Sequence, residues 1–447
     1  MTAPRELSLF QAAERLRKGA LTSEALVRSC LEHIQARESQ VLAWASLYAE
    51  AALEMARQRD REAAGGHWQG PLHGLPLGVK DIYHVRGMET GGGTSAYEGG
   101  VAGLDAASVA RLRAAGAIFI GKTVTTAFAM GDPGPTRNPW NLEHTPGGSS
   151  SGSAAAVAAR MIPAALGTQT AGSVIRPAAF NGIVGFKPTH GAVSLAGVLP
   201  LSWQLDHVGT LTRTVEDAYL LWHLLRNRRQ LEWQDTPDKL PPALVPRRPS
   251  RLWRVRGIFQ DAADPMVLAA LEEQCQRFSR AGVELVERDL PPAFETMLTR
   301  HQVIMATEAA AAHHTRFDLR EKHYPPKIAG LIREGRKYAA TEYVLSLRHR
   351  EHLIDEMNEA MADVDAAIMP AALGGAPRGL AETGDRRFNV LASYCGLPTV
   401  GLPSGLTPQG LPVALQITCR PGRDDDALAL AAWCESLIAF NQKPPLA

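Results

Sequence analysis

A short loop built only from glycine and serine, at residues 147–153, precedes a strong helix-forming run of five alanines and one valine at 154–159. A loop of this composition could be a flexible linker, but the helix-forming run that follows argues against that role. Serine hydroxyls and the free N–H groups at a helix N-terminus suit an anion, or an oxyanion that develops during a reaction. The loop is therefore a candidate site for chemistry.

Two further segments place reactive or polar groups beside apolar runs. A second stretch of small residues surrounds Ser173 within 166–177, and Lys80 follows directly after an apolar run at 75–79 that we expect to be a strand. Together with the Gly/Ser loop, these segments contain the residue types most suited to catalysis.

Two well-known motifs match by letter but not by context. Gly116, Gly121, Lys122 and Thr123 fit the phosphate-binding pattern GxxxxGK[ST], which requires a loop after a strand. The intervening residues at 117–120 are apolar and predict a buried strand, and a buried strand cannot wrap a phosphate. We therefore reject an NTPase.

The nucleophile-elbow pattern GxSxG is matched by Gly148, Ser150 and Gly152, but residues 143–147 cannot supply the apolar strand that must precede an elbow. The adjacent histidines at 313–314 are a poor metal pair, because neighbours on a helix point in different directions.

The three retained segments, in this order, resemble the amidase signature family, whose hydrolases use a Ser–Ser–Lys triad. The resemblance runs from about residue 8 to the C-terminal helix, and in its motifs it is nearest to malonamidase-like and to biuret- or carboxybiuret-hydrolase-like members. Further matching segments are Thr136–Trp140, Phe186–Thr189, Gly396–Pro398, Gly410–Val413 and Leu415–Gln416.

The resemblance assigns a role to each matching position. Ser173 corresponds to the nucleophile, Ser149 to the bridging serine, which follows a cis peptide bond in the family, and Lys80 to the catalytic lysine. The residues that correspond to the oxyanion hole, through their backbone N–H groups, are Thr170, Ala171, Gly172 and Ser173. The residues that match supporting positions of the loop are Ser150, Ser151 and Ser153.

These residue types suit acyl transfer. A serine hydroxyl is a weak nucleophile and needs an adjacent base. A lysine serves as that base only when it is neutral, which requires burial or a nearby positive potential. Ser149 would then relay the proton between Ser173 and Lys80 and later deliver it to the departing nitrogen. Each oxyanion donor would contribute about 3–4 kcal/mol of transition-state stabilisation.

The sequence departs from the family pattern in two places. The usual Asp-Thr-Gly-Gly-Ser is here Gln169 to Ser173 with Ala171 inside it, and Arg176 stands three residues after the nucleophile instead of two. The arginine position is similar to that in malonamidases, where it grips the substrate carboxylate, and a guanidinium suits bidentate carboxylate binding. The alternative for Arg176 is a structural ion pair.

The rest of the chain predicts the elements that must position these residues. Residues 8–62 predict helices, and beyond Pro71 short apolar runs alternate with helical segments, which is typical of an α/β sheet. The later part predicts amphipathic helices at 264–282 and 302–362, a strand at 366–369, and strands separated by Pro/Gly turns at 397–417.

The fold that the resemblance implies is an α/β fold with a large, mixed, twisted β-sheet covered by helices on both faces. We expect a single domain over 1–447. Its parts are a helical N-terminal segment at about 1–65, the signature core at about 70–215, a Pro-rich surface connection at about 226–251, and a C-terminal sheet-and-helix portion at about 252–447.

Charge and cysteine content limit the functional class. Among 447 residues, 47 Lys+Arg balance 46 Asp+Glu, so neither direct nucleic-acid binding nor an anionic membrane is indicated. The five cysteines are odd in number and scattered, which argues against disulfides and structural zinc and suits a reducing cytoplasm. The N-terminus has no apolar signal core, and the most apolar stretch, 154–166, is interrupted by Arg160 and Pro163.

We therefore expect a cytoplasmic amidohydrolase that cleaves a C–N bond of a small, carboxylate-bearing amide through a serine acyl-enzyme, with no metal or organic cofactor. The alternatives are a biuret- or carboxybiuret-type urea-derivative hydrolase and the glutaminase component (the A chain) of a glutamine-dependent tRNA amidotransferase. Near-neutral charge leaves the second alternative open, because tRNA contacts there lie largely on a partner subunit. The expected partners are a small-molecule amide substrate and a second copy of the chain, which would form a homodimer. A small accessory subunit is a further alternative. A catalytically silent binding protein is disfavoured because all three triad positions are filled.

Overall fold

The computed structural model describes residues 3–227, 240–257 and 260–447. In this part of the chain a single sheet of eleven strands is packed against fourteen α-helices. The middle of the surface connection predicted at 226–251 lies outside the described residues. No helix in the described part of the chain is both long enough and apolar enough to cross a membrane.

The strands are short and spread over the whole chain. They are β1 (Trp44–Leu47), β2 (Pro76–Lys80), β3 (Ile118–Thr123), β4 (Ala164–Gln169), β5 (Val184–Lys187), β6 (His207–Thr212), β7 (Arg251–Arg256), β8 (Glu284–Asp289), β9 (Ala366–Pro370), β10 (Thr399–Leu406) and β11 (Pro412–Thr418).

The helices lie between the strands and at both ends of the described chain. They are α1 (Leu9–Arg17), α2 (Ser23–Val41), α3 (Ala49–Ala64), α4 (Ala107–Ala114), α5 (Ser151–Ala158), α6 (Ile175–Asn181), α7 (Val215–Leu225), α8 (Pro265–Arg280), α9 (Met297–Ala312), α10 (His314–Arg320), α11 (Pro326–Gly335), α12 (Ala340–Ala360), α13 (Arg387–Tyr394) and α14 (Asp424–Ile438).

The sheet is mixed, with the order β1-β3-β2-β4-β6-β5-β10-β11-β9-β7-β8. Parallel pairs join β2 to β3, β2 to β4, β7 to β8 and β7 to β9, and the remaining neighbours are antiparallel. The parallel group β3-β2-β4 matters for function, because the carboxyl ends of parallel strands meet at one edge of a sheet.

Both faces of this sheet are covered by helices. Successive side chains of a strand point to opposite faces, and in β3 the side chains of Ile118 and Ile120 pack with apolar residues of α2, α3 and α5. Phe119, between them, packs on the other side with residues of α1, α4 and α7. The predicted fold class, an α/β fold with a large mixed sheet, is confirmed.

The two edges of the sheet differ from its interior. β1 is only four residues long. At the other edge, β8 exposes four charged side chains, and it is tied to β7 by ion pairs from Arg251 to Glu284 and from Arg256 to Glu287. The exposed charged residues of β8 are Glu284, Glu287, Arg288 and Asp289.

Most predicted elements are confirmed. The helices expected at 264–282 and 302–362 and the strands expected at 366–369 and 397–417 are all present. The prediction that residues 8–62 are helical is wrong at Trp44–Leu47, which form β1 between α2 and α3.

The rejection of the two letter-only motifs is also confirmed. Lys122 and Thr123 of the phosphate-loop pattern lie inside β3, and the buried Lys122 amine contacts the carboxylate of Asp81 at 2.9 Å. Ser150 of the elbow pattern precedes α5, and no strand stands directly before it in the described chain.

Gly152 allows the start of α5 to pack closely against the segment that follows β3. A Cβ at Gly152 would overlap the carbonyl oxygen of Ala43 and the backbone nitrogen of Val124. We expect Gly152→Ala to lower the free energy of unfolding by about 3 kcal/mol, because backbone atoms cannot move aside as a flexible side chain would. Chemical denaturation measures this change.

The matched control is Gly330→Ala in α11, where a Cβ would meet nothing within 4 Å. This substitution should leave stability unchanged or raise it by up to about 1 kcal/mol through helix propensity. Equal effects of the two substitutions would contradict the close approach at Gly152.

Candidate active site

The predicted catalytic residues come from the carboxyl ends of two adjacent parallel strands and from the Gly/Ser loop. Lys80 is the last residue of β2, and Ser173 follows the end of β4, which pairs with β2 in parallel. Ser149 lies in the loop that leads into α5. The fold thus brings together residues that are far apart in the sequence.

Lys80 is completely buried, and both groups that its amine contacts are neutral hydroxyls. The Nζ atom donates to Ser149 Oγ at 2.7 Å and to Thr168 Oγ1 at 2.8 Å. Burial lowers the pKa of Lys80 to about 7, although the charge of Asp206 acts in the opposite direction. A substantial fraction of this amine is therefore unprotonated near neutral pH and can accept a proton from Ser149.

Ser149 and Ser173 line one cavity of about 460 Å³. Both serines are largely buried, and the peptide bond between Gly148 and Ser149 is cis, as the resemblance implied. Among the described residues, no group forms a hydrogen bond with the Ser173 hydroxyl. A cavity of this volume fits a small molecule.

Four consecutive residues that line the same cavity, with Ser173 as the last of them, contribute their backbone N–H groups to one stretch of the loop. Within the described chain, none of these N–H groups donates to a protein acceptor. Free N–H groups around a nucleophile are what an oxyanion requires, and the assignment of the oxyanion hole to them remains a prediction. They belong to Thr170, Ala171, Gly172 and Ser173.

Gln169 fixes this nucleophile loop from within. Its Oε1 atom accepts hydrogen bonds from the N–H groups of Val174 (2.9 Å) and Ile175 (3.0 Å). Its Nε2 atom donates to Ser393 Oγ at 3.0 Å, and that hydroxyl donates to the carbonyl of Ala171 at 2.8 Å. The neutral side-chain amide of Gln169 thus stabilises the nucleophile loop through hydrogen bonds at both of its ends. Ala171 is not among the described residues with a positive φ, so its backbone tolerates a Cβ.

Asp206, just before β6, supports the loop from the other side and was not found from the sequence. Its carboxylate accepts hydrogen bonds from Thr170 Oγ1 (2.5 Å) and from the N–H groups of Leu201 (2.9 Å) and Ser202 (3.0 Å). Burial raises the pKa of Asp206 to about 6. This carboxylate therefore both positions Thr170 and acts electrostatically on Lys80.

His301 of α9 also contacts the loop. Its Nε2 atom lies 3.2 Å from the carbonyl oxygen of Thr170, so Nε2 carries the proton in this bond. Burial lowers the pKa of His301 to about 3, which keeps the imidazole neutral. No local motif in the sequence distinguishes His301 or Asp206, because their roles depend on contacts across the fold.

Arg176 lines the cavity, but its terminal nitrogens are engaged by the protein. Nη2 donates to the carbonyl of Gly148 (2.6 Å) and to Thr383 Oγ1 (3.1 Å), and Nη1 donates to the carbonyl of Gly384 (2.9 Å). The predicted alternative, a structural ion pair, is not formed with any described residue. These contacts support a positioning role, and the predicted grip on a substrate carboxylate remains a prediction.

The adjacent histidines at 313–314 lie in different surroundings, the first buried and the second exposed beside Asp318. The His313 ring is buried, with Nδ1 3.0 Å from the hydroxyl of Tyr324. Among the described residues, no cluster of three or more histidine, cysteine, aspartate or glutamate side chains is arranged to hold a metal ion.

The comparisons with known proteins agree with this geometry. The model of the Amidase family matches residues 25–428. The chain is 35% identical to an amidase of Pseudomonas putida, over 100% of this chain and 99% of that protein. It is 31% identical to the A component of the glutamyl-tRNA(Gln) amidotransferase of Geobacter metallireducens, over 98% of both. A crystal structure of an amidase superposes with a TM-score of 0.87 at 33% identity, covering 96% of this chain and 99% of that chain.

We expect kcat/KM to rise with pH through about 7, because only the neutral form of Lys80 can accept the proton and burial lowers its pKa to about that value. Below that pH, each unit should cost about tenfold in rate. Lys80→Met, which removes the amine and keeps an unbranched side chain of similar length, should abolish turnover. Initial rates between pH 5 and 9 measure the profile.

Lys187 provides a matched control. Burial lowers its pKa to about 7 as well, but its amine donates to the carbonyls of Pro188 and Leu397 outside the cavity. In Lys187→Met the rise of kcat/KM with pH through about 7 (the acidic limb of the profile) should be unchanged. A limb that disappears in Lys187→Met would contradict the assignment to Lys80.

We expect Asp206→Asn to shift the acidic limb to lower pH, because the negative charge of Asp206 raises the pKa of Lys80. We also expect kcat to fall by about tenfold, since one of the two carboxylate oxygens, which accept from Thr170 Oγ1 and from the N–H groups of Leu201 and Ser202, is replaced by an NH₂ donor. Thr170→Val removes a hydrogen bond to Asp206 without removing the charge, so it should lower kcat and leave the limb in place. An unmoved limb in Asp206→Asn would contradict the electrostatic coupling.

Proposed function

The chain belongs to the amidase family and is a hydrolase of carbon–nitrogen amide bonds, and from this premise we propose that it cleaves a small amide through an acyl-enzyme on Ser173. The observation that carries the proposal is the contact of 2.7 Å between the buried amine of Lys80 and the hydroxyl of Ser149, at a cavity that Ser173 also lines. No metal or organic cofactor takes part in this mechanism.

The reaction begins with a proton relay. Neutral Lys80 accepts the proton of Ser149 while Ser149 accepts the proton of Ser173, and the Ser173 oxygen attacks the amide carbon. The negative charge that develops on the substrate oxygen is bound by the free N–H groups at 170–173. Collapse of this intermediate breaks the C–N bond, and the proton returns through Ser149 to the departing nitrogen.

The second half of the reaction uses the same groups in the same order. A water molecule loses a proton to Ser149, which passes a proton to Lys80, and the water oxygen attacks the ester carbon of the acyl-enzyme. The C–O bond to Ser173 then breaks, and Ser173 recovers its proton through the relay. The products are a carboxylic acid and ammonia or an amine.

A second candidate, the glutaminase component of a tRNA amidotransferase, is favoured by the identity with the Geobacter metallireducens protein. The same triad would release ammonia from glutamine in such a complex. Arg176 and the Gln169–Ala171 departure from the usual family sequence weigh against it. To separate the candidates, the purified chain is assayed alone for ammonia release from glutamine, malonamate and biuret derivatives. Turnover of malonamate or of a biuret derivative without a partner supports the amidase.

We place the enzyme in a reducing compartment, the cytoplasm. All five cysteines are buried and free, and free thiols without disulfides are typical of such a compartment. The homodimer remains a prediction.

We expect a fluorophosphonate to label Ser173, and Ser173→Ala to lose the label and essentially all turnover. Ser151→Ala is the control from the same region, because the buried Ser151 hydroxyl has no hydrogen-bond partner among the described residues. This variant should label and turn over like the wild type. Peptide mapping of the label decides the assignment, and a label on Ser150 would favour the rejected elbow.

A further inference from the structure

The guanidinium of Arg386 lies at the cavity beside Ser173. Arg386 is the residue before α13 and lines the cavity. Its Nη2 atom donates to Gln302 Oε1 at 3.0 Å, and its Nη1 atom lies 3.9 Å from Met305 Sδ. Within the described chain, Arg386 forms no ion pair with a carboxylate. A thioether is a weak acceptor, so much of the donor capacity of this guanidinium is unused.

The other cations at this cavity are already engaged. Lys327 pairs with Glu382 at 2.9 Å, and Arg387 pairs with Asp385 at 2.8 Å. Arg176 donates to neutral oxygens through both of its terminal nitrogens. Arg386 therefore differs from its neighbours in having one amide oxygen and one sulfur as its protein contacts.

The two acids that act electrostatically on Arg386, Asp385 and Glu334, are hydrogen-bonded to other groups. Asp385 accepts from Arg387 at both its N–H and its guanidinium. Glu334 accepts from Gln302 Nε2 at 2.9 Å and from the hydroxyl of Tyr338 at 2.7 Å. Both acids attract Arg386 electrostatically, yet burial still lowers its pKa.

Arg386 is partly buried. A charge that is partly removed from water without a partner is costly, and an arginine remains protonated at any working pH. The cost is offset if a ligand brings the missing negative charge. The fork of N–H donors in a guanidinium matches the two oxygens of a carboxylate. A cavity of about 460 Å³ limits the rest of that ligand to a small molecule.

We propose that Arg386 binds a carboxylate of the substrate, so that the preferred substrates are anionic amides in which a carboxylate and the scissile amide belong to one small molecule. This inference rests on the proposed function, because it concerns the same cavity. It assigns recognition of the acid to Arg386, whereas Arg176 positions the loops that contain Gly148 and Gly384.

Binding to the inactive Ser173→Ala protein tests the proposal without turnover. The ligands are three pairs that exchange a carboxylate for a neutral carboxamide: malonamate and malonamide, succinamate and succinamide, glutaramate and glutaramide. Calorimetry should show the acid of at least one pair binding about ten- to a hundredfold more tightly than its diamide, as expected for a charge-assisted bidentate contact. Adding Arg386→Gln should remove this preference.

Two further arginine variants act as controls in the same background. Arg387→Lys keeps a cation beside Asp385 and removes only the neighbouring guanidinium fork, so it should keep the preference for the acid. Arg176→Gln should weaken acid and diamide about equally, because its loss disturbs the loops. Fluorophosphonate labelling of Arg386→Gln with Ser173 restored, at the wild-type rate, shows that the site is intact, and Arg386→Lys provides a charged variant that lacks the fork.

The proposal is overturned by equal affinity for acid and diamide in every pair, by no detectable binding of any acid, or by a preference that survives Arg386→Gln. A preference lost equally in Arg387→Lys would also overturn it, because the carboxylate would then not be bound specifically by Arg386. Failure of the proposed function has a different signature: the wild-type enzyme would hydrolyse no amide, and Ser173 would remain unlabelled.

Discussion

The candidate active site depends on burying the amine of Lys80 away from water and from direct contact with a carboxylate. Lys122, on the neighbouring strand β3, shows what a direct contact does: burial lowers its pKa too, but the carboxylate of Asp81 at 2.9 Å acts in the opposite direction and favours the protonated form. Among the described residues, the amine of Lys80 on β2 donates only to the hydroxyls of Ser149 and Thr168, and burial there lowers its pKa. The parallel pairing of β2 with β4 brings Thr168 to this amine. Two neighbouring strands thus contain one lysine, Lys122, that is paired with a carboxylate and another, Lys80, that can act as a base. The groups that each amine contacts distinguish them.

The nucleophile loop is held mainly by groups that carry no charge. Gln169 and Ser393 fix it through amide, hydroxyl and carbonyl contacts, and the neutral ring of His301 contacts Thr170. Asp206 is the exception, and its carboxylate is hydrogen-bonded instead of ion-paired. Such a scaffold keeps strong fields away from Lys80, so the basicity of that amine is governed by burial and by one nearby carboxylate.

The sequence was sufficient wherever the information was local. The Gly/Ser loop, the segment around Ser173 and Lys80 at a strand end are contiguous patterns. Ser149 and Ser173 line one cavity, and the buried amine of Lys80 contacts Ser149. Their catalytic roles remain predictions. The four-residue strand β1 was missed because it is too short to interrupt the helical pattern on either side. The role that we propose for Arg386 could not be inferred from the sequence, because Asp385, Arg386 and Arg387 together look like a solvent-exposed run of charged residues. Only the fold shows that Asp385 pairs with Arg387 and leaves Arg386 facing an amide and a thioether.

The ends of the sheet bear on how copies of this chain can associate. An open strand edge is a template on which a second molecule can add its own strand. Here one edge is a strand of four residues, and the other, β8, exposes Glu284, Glu287, Arg288 and Asp289. Adding a strand at β8 would bury these charges beside the incoming backbone, which is unfavourable. Continuous sheets across two molecules are thereby discouraged, which also disfavours fibrous aggregation.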